Sequence, residues 1–203
     1  ATADGIGPTV TVTKPAGVVA DDVLVVILQG SGATALAAPA GWTQVGADVL
    51  SGGLRTAVWR KVAGGSEPAS YDFTRTGGTY ISAGIGAYSG GDTAAPINVQ
   101  GSTSNGVVAD AVAPSVTTTV DNCWVLRQYV QDDSGTLTPP AGNTERFDVA
   151  GIELCDKSQA VAGASGTATG TWTTTVDSVS WTVAIAPAAV VSTGKGRMLT
   201  GVG

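Results

Sequence analysis

Pro39-Ala40-Gly41-Trp42-Thr43 and Pro140-Ala141-Gly142-Asn143-Thr144 are one turn written twice, about 100 residues apart, and their surroundings repeat as well. Asp21-Asp22-Val23-Leu24-Val25-Val26 aligns with Asp121-Asn122-Cys123-Trp124-Val125-Leu126, and Val62-Ala63-Gly64-Gly65-Ser66 with Val161-Ala162-Gly163-Ala164-Ser165. Phe73-Thr74 aligns with Trp172-Thr173. A chance match does not keep its register across four such landmarks, so the chain reads as a duplication.

Each copy reads as short strands between turns. Thr9 to Thr13 alternates Thr and Val, the period of a half-buried strand. Val23 to Leu28 is a continuous apolar, mostly β-branched run, which predicts a strand covered on both faces. Further strands are expected over 43–49, 54–62, 71–74 and 80–88, echoed near 107–112, 123–130, 144–149, 152–160, 168–173 and 178–186. In 54–62 the inward face stays undecided, because Trp59 opposes Val58. Trp181, Val183 and Ile185 share a face and are expected in the core, as are Trp124 and Trp172. Ala33 to Ala40 has no helical apolar stripe and carries Pro and Gly at helix-breaking positions.

The fold expected is all-β: a jelly-roll-like β-sandwich of about twelve strands, built from two duplicated halves at 9–91 and 107–187. Tandem small sandwiches would also satisfy the repeat. One sandwich over 1–187 is favoured, because the connector from Gly90 to Asn105 carries Pro96, Ile97 and Val99 like a packed segment. An edge strand of one half is then expected to pair with the other half. Residues 188–203 have no counterpart in the first half and read as an extended arm. Its Val190, Val191, Met198 and Leu199 are apolar, and Lys195 and Arg197 are positive on an acidic chain, a pattern suited to docking on a neighbouring subunit.

With 203 residues, the chain has enough length to bury a core without metals or disulfides. Its net charge of -6 argues against binding a phosphate backbone, so nucleic acid is not an expected partner. No apolar run is long enough to span a bilayer, and no membrane partner is expected. The start lacks a charged-then-apolar signal segment, so the expectation is either that one was removed or that assembly proceeds without secretion. Cys123 and Cys155 read as buried free thiols rather than a disulfide.

There is no histidine, which removes the commonest general base and the commonest transition-metal ligand together. No catalytic residues, cofactor or metal site are assigned. Asp21-Asp22 reads as a turn, and Asp132-Asp133-Ser134-Gly135 as a solvated loop rather than a calcium site. Exposed aromatic rings on a β-sandwich hold sugars, and Trp42, Trp59 and Tyr88 are the candidates for such contact, with core packing the competing reading.

The string Lys14-Pro15-Ala16-Gly17 … Asp22-Val23-Leu24-Val25, then Pro39-Ala40-Gly41-Trp42-Thr43, Val58-Trp59-Arg60-Lys61-Val62, Ser66-Glu67-Pro68-Ala69-Ser70-Tyr71-Asp72-Phe73 and Ala87-Tyr88-Ser89-Gly90 … Pro96-Ile97 resembles a family of β modules. That family occurs in tailed-phage virion proteins and bacterial surface proteins, and the resemblance covers residues 9–187. It implies a non-enzymatic virion structural protein, in particular a capsid decoration protein on the capsid exterior. The major capsid protein or another virion protein, and further copies of the chain, are the expected partners. The alternative is a carbohydrate-binding or host-attachment module, on a virion or at an extracellular or cell surface. A carboxylate-based polysaccharide-cleaving enzyme is the least favoured reading.

Overall fold

The computed structural model describes residues 1–189; the six arm residues singled out above, Val190, Val191, Lys195, Arg197, Met198 and Leu199, lie outside the described residues. The first half forms strands β1 (Thr2–Gly5), β2 (Thr9–Thr13), β3 (Val23–Ala37), β4 (Thr43–Ser51), β5 (Leu54–Val62) and β6 (Ser70–Tyr88). The second forms β7 (Ile97–Ala113), β8 (Thr117–Thr118), β9 (Cys123–Gln131), β10 (Leu137–Thr138), β11 (Thr144–Val149), β12 (Ile152–Gln159), β13 (Gly163–Ala164) and β14 (Ala168–Ile185). No helix occurs among the described residues. The expected pairs of strands at 71–74 and 80–88, and at 168–173 and 178–186, are each one long strand, β6 and β14. The connector after Gly90 is largely strand too, since β7 hydrogen-bonds along β14 from Ile97 onward.

Each half makes its own antiparallel sheet, in the order β1-β6-β3-β5-β4 and β10-β14-β9-β12-β11, with β2 added on β6 and β7 on β14. The path β6-β3-β5-β4 matches β14-β9-β12-β11, and β7 runs along β14 where β1 and β2 run along β6, so the duplication visible in the turns extends to strand pairing. The sheets pack face to face as a β-sandwich. Strands are not exchanged between the sheets as in the interleaved order of a jelly roll. The expected edge pairing between halves is reduced to one bridge, Gly91 to Pro187.

Three cores result. The central one joins the halves, with Val23, Val25, Ile27, Leu54 and Val58 meeting Leu126, Val130, Leu154, Val179, Trp181 and Val183. The outer core of the first half holds Leu24, Val26, Leu28 and Trp59 under Val10, Val12 and Phe73. That arrangement explains why Val23 to Leu28 is apolar throughout, and why Val58 and Trp59 face opposite ways yet are both buried.

The outer cores require each long ribbon to fold over its own sheet. In the first half β3 and β6 pair from Val23–Tyr88 to Ala37–Thr74, with register shifts around Ala33. The bend sits at Gly32, Gly77 and Gly78, all at positive φ. A Cβ on Gly78 would run into the Ser31 carbonyl and sit 2.7 Å from the Ala33 amide nitrogen. Gly78→Ala is therefore expected to destabilise the protein by about 2–3 kcal/mol. A urea midpoint lowered at constant m would register this loss, and an unchanged midpoint would refute the tight crossing.

One detail of the repeat is corrected. Asp21 and Asn122 are the residues at positive φ before β3 and β9, and Val25 and Leu126 both face the central core. Structural register thus places Asp21 opposite Asn122, one residue away from the alignment by sequence. In a strand, a one-residue shift exchanges the two faces, so the packing is decisive where apolar letters are not. Trp124 accordingly occupies the position of Val23, but at the rim of the central core, where it is 36% exposed instead of buried.

Candidate functional site

The two ends of the sandwich differ chemically. At one end lie the turns that lead into β3 and β9, together with Pro187–Ala189, the last described residues. Gly91 is bonded to Pro187, the Ala188 amide donates to Gly90 O at 2.8 Å, and a Cβ on Gly91 would meet both Val23 and Ile185. Val19, Val120 and Val161 are exposed at this end, Val161 to 71%, and Trp124 is partly exposed beside Tyr88. A groove of about 530 Å³ runs between Val19–Asp22 and Ser89–Thr93, with Ala188 and Ala189 on its wall. Asp21, Asp22 and Asp92 make that groove acidic.

At the opposite end a cleft of about 460 Å³ opens between the halves, lined by Asp4, Gln29, Ser31 and Tyr80 on one side and Asp132, Asp133, Ser134 and Ala150 on the other. Tyr80 donates to Asp4 Oδ2 at 3.0 Å, and burial followed by that carboxylate holds its phenol up at about 12. Gln29 is buried and donates to Gln131 O at 2.9 Å, across the junction of the halves.

Between the ends, polar groups weld the two sheets. Tyr88 of the first half donates to Asp156 Oδ2 at 2.8 Å, and Arg146 holds both oxygens of the same carboxylate, Nε to Oδ2 at 2.7 Å and Nη2 to Oδ1 at 2.8 Å. Trp181 Nε1 donates to Thr56 Oγ1 at 3.0 Å inside the central core.

The outer core of the second half is unlike its counterpart. Where the first half has Val26, the second has Arg127, fully buried, whose guanidinium donates to Pro114 O, Ser165 O and Gly166 O at 2.7, 3.2 and 2.6 Å. These bonds tie the loops flanking β8 and β13 to the sheet. Burial lowers the Arg127 pKa from its ordinary value. Glu153 lies on the same sheet face, fully buried, with no partner for either carboxylate oxygen. Burial, then the neighbouring Glu145 and Asp148, push it up to about 9. Cys155 sits beside it, raised chiefly by burial; both Cys123 and Cys155 are free and buried.

The residues proposed for sugar stacking are placed elsewhere. Trp59 and Tyr88 are 6% and 7% exposed, so neither offers a ring face to a ligand. Trp42 packs edge-on against Tyr71 and Phe73, with ring centroids 5.2 and 5.3 Å away, and closes the outer core of the first half. Sequence reasoning missed the cleft and the buried charges. Asp4 and Tyr80 are far apart in the chain and are joined only by the β1–β6 pairing. Arg127 and Gln128 inside an otherwise apolar run were the available signal of a polar interior. Compared with protein-family models, with curated proteins and with solved structures, the chain finds no match in any of the three.

Proposed function

We propose that this is a non-enzymatic structural protein of a phage virion, a capsid decoration protein seated end-on on the capsid exterior and contacting the major capsid protein or another virion protein and neighbouring copies. The observation that carries the reading is the set of exposed apolar side chains at the end of the sandwich that holds Pro187–Ala189. Pro187–Ala189 lie at the end that also exposes Val19, Val120, Val161 and Trp124, with Val19 lining the same groove as Ala188 and Ala189. Unburied apolar side chains at that end suit attachment to another protein. The welded double sheet suits a part whose task is to stay rigid, and the motif resemblance of residues 9–187 points the same way.

Image reconstruction of purified particles tests this: ordered density for the body on the capsid surface is expected, and particles that lack the protein overturn it. Truncation after Ala189 is expected to leave the melting temperature of the body unchanged while lowering particle occupancy by about tenfold or more. Full occupancy without residues 190–203 would remove the arm from the attachment.

A further inference from the structure

We propose that the cleft between the halves, at the end opposite Pro187–Ala189, binds a neutral, hydroxyl-rich ligand of the glycan class. The cleft exists because the halves differ there. In the first half β3 runs on past Gly32 to Ala37, whereas β9 stops at Gln131 and the chain loops out through Asp132–Thr136 before β10. That unduplicated loop forms the second wall, facing Asp4, Ser31 and Tyr80.

The chemistry of the lining selects the ligand. It offers carboxylates, hydroxyls, an amide and one phenol ring, but no Lys or Arg. An anionic ligand would meet three carboxylates with no cation to offset them. Among the described residues no three acidic, Cys or His side chains converge as a metal set, which separates this cleft from a cation site. Vicinal sugar hydroxyls match what remains: they donate to carboxylates in charge-assisted bonds and accept from the Ser hydroxyls. The volume lies in the range of small-ligand sites. Several groups are already held in place: Asp4 by Tyr80, Gln29 by Gln131 O, and Asp133 Oδ1 by the Ser134 amide at 2.7 Å. The Trp and Tyr rings first considered for sugar contact play no part, so this site stands apart from them and from the proposed attachment end.

The test uses the whole 203-residue chain, probed on an array of neutral and acidic glycans in EDTA, followed by calorimetric titration with the strongest neutral binder. Binding of a neutral glycan is expected, weakened at least about tenfold by the double variant Asp132→Ala/Asp133→Ala at unchanged melting temperature, and weakened also by Tyr80→Phe, which frees Asp4. Three results overturn the proposal: no glycan retained on the array, affinity indifferent to both variants, or retention that appears only when calcium replaces EDTA. Particle occupancy is read separately, so a failed glycan site leaves the attachment reading intact, and the reverse holds as well.

Discussion

Asp156→Ala is expected to destabilise the protein by about 2–4 kcal/mol, because its carboxylate ties a hydroxyl of one half to a guanidinium of the other. Asp156 is fully buried and accepts three hydrogen bonds, one from Tyr88 of the first half and two from Arg146 of its own. Removing the carboxylate leaves the Tyr88 hydroxyl buried in the central core without an acceptor, and also leaves Arg146 without its anion. Tyr88→Phe is milder, costing about 0.5–1.5 kcal/mol, because Asp156 keeps its two bonds to Arg146. Urea denaturation of the two single variants and the double variant measures the coupling. If Asp156→Ala loses no more than Tyr88→Phe, the triad is not what joins the sheets.

Glu153→Gln is expected to stabilise the protein at alkaline pH and to leave it unchanged near pH 4. The folded state holds the Glu153 proton up to about pH 9, whereas an unfolded chain releases it near the ordinary glutamate value of 4.5. A raised acid pKa means that the native state binds the extra proton, so stability is full below the unfolded value and falls as pH rises from about 4.5 to 9. The slope approaches about 1.4 kcal/mol per pH unit for one proton, and it flattens above the folded value. The facing groups reinforce the sign. Asp148 is the cross-strand neighbour of Glu153 on β11, with Glu145 nearby, and Tyr129 is its neighbour on β9. Arg127 does not offset them, since its guanidinium is committed to three carbonyls. Melting temperatures from pH 5 to pH 9 should fall for the native protein more steeply than for Glu153→Gln. Parallel curves would mean that Glu153 gains a partner or solvent in solution.

Both variants probe features of the second half that its first-half template does not foretell. Arg127 stands where the first half has Val26, so copying the apolar pattern across the repeat predicts an oily outer core where the structure has a polar one. Tyr88 is another instance. Beside Ser89-Gly90 it reads as a strand-end ring open to ligand, yet the partner that buries it, Asp156, comes from the other sheet. Trp124 errs in the opposite direction, being a strand residue that the sheet brings to a rim. In each case the deciding neighbour lies on another strand, where periodicity within one strand has no reach.

What the amino-acid sequence determined by itself is local or repeated: the period-two runs, the glycine turns, the all-β class, the two matching halves and the burial of Val23–Leu28 on both faces. These follow from backbone preference and from the energy of burying apolar side chains, which act on each segment wherever it ends up. Only the tertiary structure decided the true register of Asp21 on Asn122, the face-to-face union of whole sheets in place of exchanged edges, and the gathering of Asp4, Tyr80 and the Asp132–Asp133 loop around one cleft. Those depend on which strand lies opposite which. A one-residue slip in that choice sends every side chain to the other face while leaving the local pattern of letters untouched.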